Sequence, residues 1–429
     1  MRKKVLSLVL VSVLLLVSGT VFASDYQPRP GVLSPEEVDF GGKTVTILLR
    51  DVDWVIYNGG KPNAERVAEA EQLFNVKIQT ESFSDYNALV ARIMAGDSTH
   101  DIFRFNHRSG YFPLVSSGML YPMSDILPPE YFESLPRADQ IAIETLAYQG
   151  KYYAFGVMHG IFNATMNVMW YYNEPIRAAG LEDPFELWKQ GQWDYKTLEE
   201  YLILLTQDTD GDGVIDQYGM YDPANSTGAI RFLAGFNKVA FAEKDESGKW
   251  VYALNRDALI NGLNLLHRWR NELQVLGSNP VFNTSHLAGL RNRIAAGDTD
   301  YGLVPYPIGP DGDGHSFWTF DYSGNYLPVN TAYPEGLVAL ADFLFRESDS
   351  EEYLDFYINN YMVTRDHMEV YMAGIESWAG EGDAFQNSGF WDVLSGPLGE
   401  VVRGEKGAAV AIDEIAREAQ AFLDDLFGQ

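Results

Sequence analysis

The sequence predicts an α/β protein of two lobes, each a mostly parallel sheet flanked by helices. Three observations lead there. Apolar runs of strand length alternate with stretches of helical periodicity, the pattern left by parallel strands joined through crossover helices. The chain has 429 residues, more than one compact core ordinarily holds. Arg92-Ile-Met-Ala-Gly96-Asp97, before one predicted strand, is echoed by Arg293-Ile-Ala-Ala-Gly297-Asp298 before another. Both read as helix, glycine stop and strand, which is shared punctuation and not a sequence repeat.

The chain begins with Arg2-Lys3-Lys4, an apolar run from Val5 to Val17, and the small-residue site Val21-Phe22-Ala23. That order reads as an export signal over residues 1–23, removed after Ala23. No later segment is long and apolar enough to cross a bilayer. A Pro-rich stretch, Asp25 to Pro35, leads to a first buried strand at Thr44–Leu49, with Asp53 and Trp54 just past its carboxyl end. A helix follows from about 63 to 74, then a strand at Val76–Ile78, a helix at Tyr86–Ala95 and a strand at Asp101–Phe105. Open α/β sheets hold ligands beyond the carboxyl ends of their strands, which points to Asp53, Trp54, Asn106 and His107.

Met166 to Tyr172 is an apolar run that reads as a buried strand. Asn173-Glu174-Pro175 opens a short helix stopped by Gly180. Asp194 stands where an N-cap belongs, ahead of Leu198, Tyr201, Leu202 and Leu205 at helical spacing. The next stretch places Asp208, Asp210, Asp212 and Asp216 at positions 1, 3, 5 and 9 of a loop with Gly213 at position 6. A hard cation needs oxygens converging from alternate residues, and this is calcium-loop spacing, with the Val214 carbonyl as a further ligand. A structural Ca²⁺ is the expected occupant. Position 12 is Gly219 instead of a bidentate glutamate, and an acidic turn without an ion is the alternative.

Four pieces of this region, Tyr172-Asn173, Ala179-Gly180-Leu181, Trp193-Asp194 and Tyr218-Gly219, occur in an order and spacing that resembles the family 1 extracellular solute-binding proteins of ABC importers, the maltose-binding-protein-like group. The resemblance covers nearly all of the chain after the signal and is thinnest around 283–300. It implies a two-lobed periplasmic-binding-protein fold with a central ligand cleft. The first crossing between lobes would fall near Met158-His159, and the Pro305-x-Pro307-x-Gly309-Pro310 stretch would precede a strand returning to the first lobe. Lobe 1 is thus expected over 24–157 plus 319–363, and lobe 2 over 158–318 plus 364–429. Helices are expected at Glu335–Phe345 and Glu351–Tyr361, and mostly helix from Thr364 onward.

The resemblance further implies capture of a carbohydrate by lobe closure and delivery to the membrane subunits of an importer. The protein is expected to be a monomer. Cysteine is absent, so there is neither a disulfide nor a lipid-anchor thiol. Many relatives in single-membrane bacteria carry that anchor, and its absence favours a free periplasmic protein.

Composition narrows the functions. A formal net charge of −29 argues against nucleic acid and anionic membrane surfaces as partners. No HExxH, Gly-x-Ser-x-Gly, phosphate loop or paired-cysteine metal spacing occurs, so binding without catalysis is expected. A glycoside hydrolase is the enzyme alternative, because its two carboxylates are recognised by geometry and 60 acidic residues are present. Some iron-binding relatives of the resembled family clamp ferric ion with adjacent tyrosines, so the resemblance makes the pairs Tyr152-Tyr153 and Tyr171-Tyr172 a further alternative, against which core packing is the simpler reading. Aromatics make up 14% of the chain, enough to ask which of them lie outside periodic core positions. Trp54, Trp318, Phe320, Tyr322 and Trp378 fall in predicted loops, where an aromatic face suits the C–H face of a sugar. With Asp53, Asn106, His107 and His159 they form the expected ligand set, interlobe packing being the alternative for each. Trp170, Trp188, Trp193 and Trp269 are expected in the core.

Overall fold

The structure is a computed structural model and describes residues 26–49, 57–58, 61–62, 64–82, 86–96, 100–106, 110–156, 166–224, 228–253, 256–317, 323–345, 358–359, 362–377 and 389–428. Nine strands build its two main sheets: β1 Thr44–Leu49, β2 Lys77–Ser82, β3 Ile102–Asn106, β4 Asn167–Tyr172, β5 Tyr218–Tyr221, β6 Leu276–Gly277, β7 Pro280–His286, β8 Tyr301–Val304 and β9 Ser323–Tyr326. The first sheet has the order β9-β3-β1-β2, with β1 parallel to β2 and β3 and only β9 antiparallel. The second has the order β6-β5-β7-β4-β8, and only β4 runs against its neighbours. The two mostly parallel sheets agree with the expectation. The second sheet lies wholly between β3 and β9 in the sequence, so the chain leaves the first lobe and returns to it. The expected crossings fall within 157–165 and 318–322, outside the described residues.

Sequence pattern decides which faces these strands bury. β4 is buried along almost its whole length. Met169 and Tyr171 join the main core with Trp193 and Phe282, while Val168 and Trp170 turn to a second cluster with Leu287, Leu303 and Tyr371. A strand covered on both faces reads as a continuous apolar run. β2 shows the opposite case: it is an edge strand with three more residues than its apolar signal, Val76–Ile78, suggested. One side meets solvent, so Gln79, Thr80, Glu81 and Ser82 extend it without adding apolar periodicity.

Trp193 and the helix Tyr195–Leu205 fix the second lobe from one side. Asp194 accepts hydrogen bonds from the Lys196 and Thr197 amides at 3.0 and 2.9 Å, as an N-cap should. The helix buries Leu198, Tyr201, Leu202 and Leu205, the face its spacing predicted. Trp193 is 1% exposed, stacks on Phe282 at 5.9 Å and donates its indole N–H to the Pro305 carbonyl at 2.9 Å. Trp170 and Trp269 are also buried, and Trp188 is half-buried against the same core. Pro334–Phe345 is a helix on the first lobe, buried from Gly336 onward. The expected helix at Glu351–Tyr361 lies almost entirely outside the described residues. The chain closes with helices Arg365–Ser377, Phe390–Arg403 and Ala408–Phe427.

Candidate functional site

Parallel order brings the carboxyl ends of β1, β2 and β3 (Leu49, Ser82 and Asn106) to one edge of the first sheet. β9 is antiparallel and begins at that edge, with Ser323 opposite Asn106. On the far side of β9, Phe155 and Asn325 exchange backbone hydrogen bonds at 3.1 and 3.3 Å in an antiparallel bridge, which directs Gly156 toward the same edge. Gly156 has φ 77°, and a Cβ there would stand 2.6 Å from the Asn325 amide nitrogen, so this tight pass requires glycine. Of the expected ligand residues, Asn106 is described, as the last residue of β3. Asp53, Trp54, His107, His159, Trp318, Phe320, Tyr322 and Trp378 lie outside the described residues. The residues that flank most of them, Leu49, Asn106, Gly156 and Ser323, meet at this one edge.

The same rule applied to the second sheet identifies residues that the sequence analysis passed over. β5 ends at Tyr221, and β4, running the other way, begins at Asn167. Thr284, near the carboxyl end of β7, donates its hydroxyl hydrogen to the Tyr221 oxygen at 2.8 Å. That bond leaves the Tyr221 O–H itself as a donor, and desolvation raises its pKa, keeping it protonated. Asp222 follows directly. One of its oxygens accepts from Arg270 Nε at 3.0 Å and the other from the Ala224 amide at 2.9 Å, so its carboxylate is held in place. The charge of Arg231, in the first turn of the helix Gly228–Asn237, also acts on Tyr221. A phenol donor, a fixed carboxylate and guanidinium groups at a strand edge suit a ligand rich in hydroxyls. The signal was available: the carboxyl-end rule needed only to be carried to Tyr221.

The acidic loop is well ordered by its own chain. Gln207 and Gln217 pair across its base. Asp208 accepts from the Gly211 and Gly213 amides, both at 2.7 Å, and these bonds lower its pKa. Asp216 accepts from the Thr209 amide at 3.0 Å and from its hydroxyl at 2.9 Å. Asp208, Asp210 and Asp216 each offer an oxygen within 4.8 Å of the others. Asp212 is not in that group, and its Oδ1 accepts from the Val214 amide at 2.8 Å instead. Three converging carboxylates fit a hard cation in kind, one short of the four expected. The Val214 side chain is exposed at 63%, at the loop's outer end.

The tyrosine pairs are engaged in packing. Tyr171 is buried and donates its hydroxyl to Asp183, and Tyr172 accepts from Arg293 Nη2 at 2.8 Å. Tyr152 packs edge-on to Phe132 at 4.9 Å. None of these contacts resembles a metal clamp.

No protein-family model and no curated protein matches the chain. Solved structures do match over most of its length. The maltose/maltodextrin-binding domain MalE from Bdellovibrio bacteriovorus, bound to maltotriose, is 16% identical, with 90% of this chain and 100% of that one covered and a TM-score of 0.60. The ABC substrate-binding protein Lmo0181 from Listeria monocytogenes, in complex with cycloalternan, is 15% identical, covering 90% and 99% of the two chains at a TM-score of 0.63. A cyclo/maltodextrin-binding protein complexed with maltotetraose is 16% identical, covering 93% and 98% at a TM-score of 0.60. The chain therefore has the two-lobed α/β fold of these binding proteins.

Proposed function

We propose that this protein is an extracytoplasmic solute-binding protein that captures a carbohydrate between its lobes, without turnover, and delivers it to an ABC importer. The observation that carries the reading is the fold itself, two mostly parallel sheets whose strands end at a carboxyl edge in each lobe. Leu49, Ser82 and Asn106 end strands at such an edge of the first sheet, and Tyr221, followed by Asp222, ends one in the second. Neighbours of the same fold were solved with maltotriose, cycloalternan and maltotetraose, which supports a sugar as the ligand. A ligand that touches both edges binds the closed form better than the open one, and only that difference in affinity drives closure. Importer subunits would then read the closed form. The stretch from Arg2 to Ala23, which reads as an export signal, supports the extracytoplasmic location.

The acidic loop is proposed as a structural Ca²⁺ site held by Asp208, Asp210 and Asp216. When bound, the ion would tie the end of the helix Tyr195–Leu205 to the start of β5. It has no part in holding the sugar.

A thermal-shift screen of mono- and oligosaccharides tests the reading, because a ligand bound only by the native state raises the melting temperature. At least one carbohydrate should do so. A panel without any shift would remove the carbohydrate reading.

A further inference from the structure

The last turn of the helix Ala408–Phe427 lies between the two lobes. Along its length this helix packs on Phe390–Arg403, on Arg256–His267 and on the ribbon strand Trp250–Tyr252, all on the second-lobe side. Its final ring, Phe427, stacks on Trp250 at 5.7 Å with 25° between the planes. The same ring meets Phe112 edge-on at 5.5 Å and Tyr148 at 5.7 Å. These two belong to the first lobe: Phe112 adjoins Tyr111, which packs on Tyr326 of β9 at 5.3 Å and hydrogen-bonds the Leu146 carbonyl. Beside the ring, Lys244 of the ribbon lies over Trp250 at 5.1 Å, where the charge of Glu144 from the first lobe acts on it. Gly428 ends the helix in the left-handed conformation immediately after Phe427.

We infer that Phe427 is a latch between the lobes, its ring setting the angle at which the second lobe sits on the first. Ring contacts are short-ranged, and a gap below 1 Å already forfeits much of their attraction. Rotation of one lobe against the other must therefore break the Phe112 and Tyr148 contacts or drag the end of the helix with it. Phe422 provides a control within the same helix, since its ring packs on Phe390 at 5.9 Å, inside the second lobe. The inference concerns the ligand-free protein and does not depend on what the ligand is.

The chain has no cysteine, so two introduced thiols carry spin labels without interference. Ala68→Cys on the first lobe and Ala178→Cys on the second both replace exposed helical alanines. In the ligand-free protein, electron–electron resonance should give a narrow distance distribution in the labelled parent. Phe427→Ala should shift it and widen it about twofold, as the restraint on the two-state balance is removed. Phe427→Leu, which keeps apolar volume and so protects folding, should fall between the two, and Phe422→Ala should match the parent. Unchanged distributions in folded Phe427→Ala and Phe427→Leu would overturn the inference. So would a Phe422→Ala distribution as wide as that of Phe427→Ala.

Discussion

Gly219 lies against the backbone of Leu202, so close that a Cβ on it would stand 2.5 Å from the Leu202 Cα and 2.6 Å from its carbonyl oxygen. Here β5 crosses the helix Tyr195–Leu205. Gly219 is also the residue at position 12 of the acidic loop, where a calcium loop has its bidentate glutamate. Packing and coordination make incompatible demands on one residue, and packing has prevailed. Gly219→Glu should therefore fail to strengthen calcium binding and should destabilise the fold by about 3 kcal/mol, the scale of a severe overpacking. Urea unfolding with and without calcium checks this. A more stable, tighter-binding variant would show that the helix can yield.

Calcium should raise the melting temperature of the parent by a few degrees and leave sugar affinity almost unchanged, because the loop lies within one lobe. Asp210→Ala should abolish that rise. Asp212→Ala should retain most of it, since Asp212 turns to the Val214 amide and not to the other three carboxylates. Differential scanning calorimetry in chelator and in calcium separates these outcomes. A variant of Asp210 that still responds to calcium would remove the metal site.

His367 makes the stability of the second lobe depend on pH. It is 1% exposed, its Nε2 bonds the Tyr301 carbonyl at 2.9 Å, and its Nδ1 accepts from the Val363 amide at 3.3 Å. Those partners define the neutral tautomer, and burial pushes the pKa down from 6.5 to about 4, against the weaker pull of the Tyr301 carbonyl and Asp183. Between these values the unfolded chain binds a proton that the folded one refuses. Stability is therefore full above pH 6.5 and declines toward pH 4, by up to about 3 kcal/mol for the whole shift. His367→Gln should lose some stability at pH 7 but flatten the slope between pH 6.5 and 4. An unchanged slope in chemical denaturation would assign the acid sensitivity to other groups.

The proposed ligand residues lend themselves to a paired test on the two lobes. Trp54→Ala, Trp318→Ala and Trp378→Ala should each cost about 1–3 kcal/mol if the ring stacks on sugar, roughly 5- to 150-fold in affinity. Tyr221→Phe keeps the ring but removes the ligand donor and the acceptor of the Thr284 hydroxyl, so it should cost about 1 kcal/mol in affinity and about 1 kcal/mol in stability, with the protein still folded. Calorimetric titration against the best ligand of the carbohydrate screen measures all four. Wild-type affinity in every tryptophan variant would mean that the aromatic platform lies elsewhere. Wild-type affinity in Tyr221→Phe would detach the second-sheet edge from the site.

Much of the fold was legible because its clearest elements are those buried on both faces or capped by polar side chains. β4 shows as an apolar run, β1 as β-branched residues leading into Ile47-Leu48-Leu49, and Asp194 announces the helix whose apolar face follows it. β7 was not foreseen, although it is central in the second sheet between β5 and β4. Its sequence, Pro-Val-Phe-Asn-Thr-Ser-His, buries Val281 and Phe282 and then turns polar toward the carboxyl edge, so it lacks the apolar run a central strand ordinarily has. The site was harder to read than the fold. Position along a strand singled out Asn106, but the Thr284–Tyr221 hydrogen bond joins residues 63 apart in sequence, and only the pairing of β5 with β7 brings them together. Sequence spacing likewise offered four aspartates for calcium, whereas the loop's path brings oxygens of Asp208, Asp210 and Asp216 within 4.8 Å of one another and leaves Asp212 outside that group.

The central claim, capture of a carbohydrate without turnover, is tested most directly by isothermal titration of the best oligosaccharide from the screen, with mass analysis of the sugar recovered from the cell. The account predicts saturable binding of one sugar per chain, with the oligosaccharide returned at its original length. Heat from continuing turnover, with shorter sugars in the recovered solution, would contradict it and make the protein a hydrolase.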